Sequence, residues 1–181
     1  QQQRYEFRAF FPLLPESRLQ HCNPLPVQQP FPPIWVAAFG PKALAQAGRL
    51  GLPYLSSPME SLKTLEANYS QHLASAEEEG VAKPSEVPLM RTVFVSKDAK
   101  QIAKLRQLMI SQGENSRLAE GESLDDWTII GEPNYVRDRV SEYRERLGMS
   151  HMIATRIRVS GLEEAELRGS VALLAETLNS L

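Results

Sequence analysis

Residues 34–56 read Ile34-Trp-Val-Ala-Ala-Phe-Gly-Pro-Lys-Ala-Leu-Ala-Gln-Ala-Gly-Arg-Leu-Gly-Leu-Pro-Tyr-Leu-Ser56. The apolar run 34–38 has the length and composition of a strand. Gly40 follows where a helix cap belongs, and Pro41 fits the first helical position, where a missing N–H costs nothing. Ala43, Leu44, Ala47 and Leu50 then recur every three or four residues up to Gly51, an apolar stripe of about three turns. Residues 52–56 form a second short apolar run, read as a second strand. Strand, helix and strand in this order make one unit of an α/β fold with parallel strands.

The same alternation continues toward the C-terminus. Ser57, Pro58 and Glu60 have the spacing of a capping box, which starts a second helix there. Leu62, Leu65, Tyr69, Leu73 and Ala76 form its stripe, and the acidic run at 77–79 is a solvated end before Gly80. Residues 89–95 are a third strand, and 98–111 a helix with Ile102, Leu105 and Met109 on one side. Residues 113–127 are polar and loop-like, with Asp125 and Asp126 in turn or capping roles, and 128–130 are briefly extended. Pro133 opens a helix carrying Tyr135, Val136, Val140, Tyr143 and Leu147, and Gly148 closes it. Residues 151–159 are the last strand and 162–178 the last helix, with Leu167, Val171, Leu174 and Leu178 inward. Toward the N-terminus, Pro24, Pro26, Pro30, Pro32 and Pro33 prevent helix or central strand, so 1–33 is an extended connector and 34–181 the folded part. Residues 5–11 within it mix aromatic and polar residues as a short edge strand would.

The 181 residues are 42% hydrophobic and 23% charged, an ordinary globular composition that excludes disorder and collagen-like fibre. Against 22 acidic residues stand 20 basic ones, and a net charge of −2 gives no field to draw the chain onto nucleic acid or anionic lipid. The apolar runs fall short of the roughly 20 residues that cross a bilayer, and no secretory signal pattern is present. Cys22 has no partner for a disulfide, and His21, His72 and His151 lack metal-ligand spacing, so a cytoplasmic, metal-free protein is expected. Gln1 stands where a natural start carries methionine, and the sequence is accordingly read as a piece of a longer chain.

Two places carry candidate chemistry. At the turn Ala38-Phe-Gly-Pro-Lys42, the amides of Gly40, Lys42 and Ala43 and the Lys42 ammonium either cradle a phosphate at a helix N-terminus or simply start the helix. In the last strand, Ile153, Thr155, Ile157 and Val159 share the face that suits a covering helix. Met152, Ala154, Arg156 and Arg158 share the other, where the arginines either meet a ligand at the strand end or pair with Glu163 and Glu164. His151 opens that strand and is read as structural. There is no G-x-G-x-x-G, no Walker sequence and no G-x-S-x-G, which argues against a dinucleotide fold, a nucleotide triphosphatase and serine nucleophiles.

The segments Pro24-Leu-Pro-Val-Gln-Gln-Pro-Phe-Pro-Pro-Ile-Trp-Val-Ala-Ala38, Ala47-Gly-Arg-Leu-Gly-Leu-Pro-Tyr-Leu55, Arg91-Thr-Val-Phe-Val95, Ile130-Gly-Glu-Pro133 and Tyr143-Arg-Glu-Arg-Leu-Gly148 occur in this order. In that order they resemble the luciferase-like monooxygenases, from about Tyr5 to the C-terminus. The resemblance implies a (β/α)8 TIM barrel that binds FMN, or alternatively a deazaflavin, often supplied reduced by a partner flavin reductase. A barrel of this kind takes about 250 residues, so the chain resembles its C-terminal half, with parallel strands and covering helices. Within the family, the turn after the sixth strand holds the flavin phosphate, and that position falls on Ala38, Phe39, Gly40 and Lys42. Many relatives carry a polar residue where Phe39 stands, so backbone contacts are the ones carried over. Tyr54, Ser56 and Arg156, near strand ends, are expected to face flavin or substrate. Val159-Ser-Gly161 replaces a frequent Trp-Pro-Gly. The implied activity is oxygenation of a small organic substrate by reduced flavin and oxygen, with the usual catalytic His or Cys on the other half of the barrel and a homodimer at full length. The alternative is a shortened, non-catalytic flavin-binding or interaction protein.

Overall fold

The computed structural model describes residues 27–29, 32–112, 123–155, 157 and 159–179. The chain divides into two units, Gln1–Pro33 and Ile34–Leu181, and the second carries every element described below. The expected edge strand at 5–11 and most of the expected connector lie outside the described residues. In chain order the elements are β1 Val36–Ala37, α1 Pro41–Arg49, β2 Tyr54–Leu55, α2 Leu62–Glu79, β3 Pro88–Val95, α3 Ala99–Ser111, α4 Leu124–Trp127, β4 Thr128–Gly131, α5 Pro133–Leu147, β5 His151–Thr155 and α6 Glu164–Leu178.

Every strand pairing is parallel, as strand–helix alternation requires. β1 pairs with β2 through Val36↔Tyr54 and Ala37↔Leu55. In the second sheet β3 lies between β4 and β5. Its first part, Pro88 to Thr92, pairs with β5, and its last part, Thr92 to Val95, pairs with β4. Because side chains alternate across a strand, β3 feeds two cores. Leu89, Val93 and Val95 join Ile129 and the Val136, Val140 and Tyr143 face of α5, along with Leu65 and Tyr69 of α2. Phe94 joins Ile130, Trp127 and the Leu105 and Met109 face of α3. A strand buried on both faces reads as a nearly unbroken apolar run, which Leu89-Met-Arg-Thr-Val-Phe-Val95 is apart from its arginine and threonine. Among the described residues, no helix is long and apolar enough to cross a membrane.

Local chemistry sets several boundaries where the sequence put them. Pro41 and Pro133 open α1 and α5, Asp98 caps α3 through the Lys100 amide at 2.8 Å, and Gly148 at φ 68° and Gly80 at φ 73° close α5 and α2. Other boundaries differ. α2 starts at Leu62 with Ser61 as its cap, not at Ser57, because the Glu60 carboxylate that accepts the Ser57 amide also accepts the Tyr54 hydroxyl and holds 57–60 as a separate turn. His72 points inward in place of Leu73, which is partly exposed, since its Nε2 reaches the Leu52 carbonyl at 2.9 Å. In α6, Val171 is exposed while Ser170 is buried, its hydroxyl accepting the Val95 amide at 2.9 Å. Residues 124–127 form a short helix and not a loop, which buries Leu124 and Trp127. β5 is His151–Thr155, shorter than the expected 151–159; its Met152 packs against the first core, and Ile157, beyond the strand, lies in the second.

Helix α1 lies against α2 at Gly48, where an added Cβ would run into the His72 carbonyl oxygen and approach the Ser75 Cβ to 2.9 Å. Helix propensity alone favours alanine over glycine there by about 1 kcal/mol. Overpacking opposes it with about 1–3 kcal/mol, and the contact is against backbone, which cannot swing away. Gly48→Ala is therefore expected to destabilise the protein, by up to about 2 kcal/mol in urea unfolding; an increase in stability would show that the two helices can part at no cost.

Candidate functional site

Parallel strands deliver their C-terminal ends to one side of the sheet, where α/β folds place their ligands. Beyond β1, Ala38 is buried in the first core. Phe39 is 73% exposed. Gly40 then turns with φ 79° and ψ 169°, in the positive-φ region open to glycine, and a Cβ built there would meet nothing within 4 Å. Among the described residues nothing plugs the corner. The Gly40 carbonyl takes the first helical bond, from the Leu44 amide at 3.2 Å, and no side chain caps the helix. The amides of Gly40, Lys42 and Ala43 have no acceptor among the described residues, and Lys42 is exposed beside them. Gln71 of α2 donates to the Pro41 carbonyl at 3.1 Å and tethers this first turn from behind. Chemically the corner is a donor set for an anion: a positive helix end, three amides and one ammonium.

Tyr54 and Ser56 stand elsewhere. Both are buried, Tyr54 in β2 against α2 and Ser56, just beyond it, against β3. The Tyr54 ring lies 5.0 Å from that of Tyr69 and 6.1 Å from that of His72, both on α2. Its hydroxyl donates to Glu60 Oε2 at 2.6 Å, and Asn68 Nδ2 donates to Glu60 Oε1 at 2.8 Å. Burial first, and then the neighbouring Glu60 carboxylate, push the Tyr54 phenol far above its ordinary range, so it serves as a hydrogen-bond donor and not as a base. Burial likewise raises Tyr69, whose hydroxyl donates to the Pro88 carbonyl at 2.9 Å and the Tyr54 carbonyl at 3.2 Å. Ser56 Oγ accepts the Met90 amide at 3.2 Å. Arg156 and Arg158 lie outside the described residues. Glu164 pairs with Arg168, and Glu163 and Glu166 form a capping box at the start of α6, the Glu163 amide donating to Glu166 Oε2 at 2.8 Å. His151 is exposed at the opposite end of the sheet, with Nδ1 2.9 Å from Ser150 Oγ and its ring 5.1 Å from that of Trp35.

Two polar assemblies went unnoticed in the sequence. Arg91, inside β3, is fully buried. Its Nε donates to the Tyr143 hydroxyl at 3.0 Å, and its Nη1 to the Ser57 and Met90 carbonyls at 3.2 and 2.9 Å. The guanidinium carbon lies 4.8 Å from the centre of the Tyr143 ring, while Nη2 has no partner among the described residues. The signal was an arginine interrupting an apolar strand. The second assembly centres on Asp125, which pairs with Arg106 through a short bond, accepts the Tyr135 hydroxyl at 3.3 Å, and offers its backbone carbonyl to Arg139 at 3.1 Å. Chiefly the Arg106 hydrogen bond holds the Asp125 carboxyl below its usual range, while burial and then Asp125 raise the Tyr135 phenol. No group of three or more His, Cys, Asp or Glu side chains suited to a metal occurs among the described residues.

A family model described as luciferase-like monooxygenase matches residues 4–151. No curated protein matches. Among solved structures, the monooxygenase RslO1 from Streptomyces bottropensis is similar with TM-score 0.64 and 21% identity, over 84% of this chain and 49% of that one. Apo-MsnO8 is similar with TM-score 0.62 and 20% identity, over 95% of this chain and 58% of that one. The oxygenating constituent of 3,6-diketocamphane monooxygenase from the CAM plasmid of Pseudomonas putida, in complex with FMN, is similar with TM-score 0.59 and 16% identity, over 81% and 48%. The chain thus spans about half the length of the structures it resembles, and identities this low establish the fold alone.

The lowered Asp125 carboxyl gives a pH test. A carboxylate whose folded pKa is depressed adds stability above its unfolded value of about 4 and loses it as pH falls through the folded value. With Asp125 and Arg106 side chains 48% and 31% exposed, the pair is expected to contribute below about 1 kcal/mol. Urea unfolding should show wild type ahead of Asp125→Asn at pH 7 by a gap that shrinks as the pH falls below about 4; a gap that stays constant throughout the acid range would mean that the ion pair is not the cause.

Proposed function

The chain belongs to the luciferase-like monooxygenase family, and on that premise we propose that it is the later half of a flavin-dependent monooxygenase barrel that acts with reduced FMN and oxygen on a small organic substrate. The observation that carries this reading is the open corner after β1. Gly40 leaves room for close approach, the amides of Gly40, Lys42 and Ala43 point donors outward, and Lys42 adds a cation. That donor set fits a phosphate monoester such as the FMN tail. The similar structures include an FMN-bound monooxygenase and a coenzyme F420-dependent reductase, so FMN is proposed with a deazaflavin as its alternative.

When bound, the flavin supplies the redox chemistry with oxygen, and the protein's share is binding, orientation and water exclusion. Gly40, Lys42 and Ala43 would hold the phosphate. Exposed Phe39 would offer an aromatic surface beside it in place of a polar contact. Arg156 retains its proposed place near the substrate, while Tyr54 and Ser56 act only by fixing β2 against α2 and β3. The remaining strands of a barrel of about 250 residues, a flavin reductase, and a cytoplasmic homodimer of the complete protein belong to the same proposal.

Titration of the complete protein with FMN tests it. Loss of one ammonium and its phosphate contact is expected to weaken binding about tenfold in Lys42→Ala, and Gly40→Val, which strains the positive φ and crowds the amides, is expected to weaken it at least as much. Affinity unchanged in both variants would reject the phosphate corner.

A further inference from the structure

We propose that Gln71 of α2 is a positioning residue for the corner after β1: it holds the first turn of α1 so that the amides of Gly40, Lys42 and Ala43 converge on one phosphate. This role rests on the reading of that corner as the seat of the FMN phosphate, and it adds the side chain, on another helix, that keeps the donors aimed. The need for such a residue follows from α1 itself. The helix has nine residues, too few to hold its shape without packing, and no side chain caps its N-terminus. The turn that carries the donors is the least supported part. Pro41 and Lys42 are exposed, Ala43 is half-buried, and full burial begins only at Leu44. The first helical bond, from the Leu44 amide to the Gly40 carbonyl, is 3.2 Å, at the long end of the usual range. A frayed first turn would leave the same amides without a common direction, and an anion gains from them only while they converge.

Two consecutive residues of α2 supply the support, one at each end of α1. Gln71 reaches the first turn, where its Nε2 donates to the Pro41 carbonyl at 3.1 Å. His72 reaches the chain that leaves the helix, with Nε2 2.9 Å from the Leu52 carbonyl and the ring buried. Between them Gly48 packs on the His72 backbone so closely that a Cβ would not fit. The later part of α1 is thus fixed by backbone contact and a buried ring, whereas the donor-bearing turn is tied to α2 by the Gln71 side chain. Loss of the Gln71 donor leaves the contacts at Gly48 and His72 in place, so α1 keeps its seat while its first turn loosens. The effect belongs to the phosphate end of a ligand and not to its ring.

Gln71→Met tests this in the complete protein, because methionine keeps the length and helix preference of the side chain and removes the donor. The variant is expected to keep its melting temperature, to bind FMN about threefold more weakly, and to bind riboflavin, which lacks the phosphate, as wild type does. Without any ligand, hydrogen exchange of the Leu44 amide should quicken about threefold, while that of the Leu52 amide, bonded to the Ala47 carbonyl beyond the last turn, stays unchanged. Lys42→Ala measured alongside separates the two claims. Weaker FMN binding in Lys42→Ala with wild-type affinity in Gln71→Met overturns the positioning role alone, and wild-type affinity in both overturns the phosphate corner with it. Equal weakening for FMN and riboflavin would make Gln71 merely structural and overturn the role as well. If Gln71→Met lowers the melting temperature, the exchange comparison decides: acceleration confined to Leu44 upholds the role, and equal acceleration at Leu44 and Leu52, or none at Leu44, overturns it.

Discussion

The constraint on which this structure rests is the double use of β3. One eight-residue strand serves β5 along its first part and β4 along its last, with Thr92 in register with both Thr155 and Thr128. A strand paired on both edges and covered on both faces has no freedom of register, because a slip of one residue would exchange Val93 and Phe94 between the two cores. Fixing β3 fixes where β4 and β5 end, which helices cover which face, and on which side the strand ends open.

The most expensive group in this arrangement is Arg91. A fully buried guanidinium without a carboxylate costs several kcal/mol unless its hydrogen bonds are met. Two carbonyls, the Tyr143 hydroxyl and the Tyr143 ring meet most of that need. In return the guanidinium grips the Ser57 carbonyl from below while Glu60 accepts the Ser57 amide. The turn between β2 and α2 is thereby held at both its polar atoms. Tyr54 and Ser56 belong to the same scaffold, one donating to Glu60 and the other accepting the Met90 amide.

Much of this was legible in the residues wherever local chemistry settles the matter. Pro41, Pro133 and Gly148 act through their own backbone, and the helices begin or end at them. The strand–helix alternation gave the parallel pairing for the same reason. Choices between near-equal local options were not legible. Ser57 and Ser61 are both plausible caps four residues apart, and a distant partner, the Tyr54 hydroxyl, decides between them by drawing Glu60 away. His72 and Leu73 are neighbours, and a carbonyl twenty residues earlier in the sequence selects the histidine. The faces of Tyr54 and Ser56 depend on which side of β2 the second helix returns to, a tertiary fact that two residues of strand cannot express. The open corner after β1 was visible as a pattern, because Gly-Pro at a helix start states its geometry directly.

The account's central claim is that the amides exposed after β1 grip a phosphate. The most direct test follows the amide resonances of Gly40, Lys42 and Ala43 in the complete protein during titration with FMN and, separately, with riboflavin, which has the same ring and no phosphate. The account predicts that these three move with FMN, that they stay in place with riboflavin, and that riboflavin binds more weakly. Equal affinity for the two compounds, with the three amides unmoved by either, would contradict it.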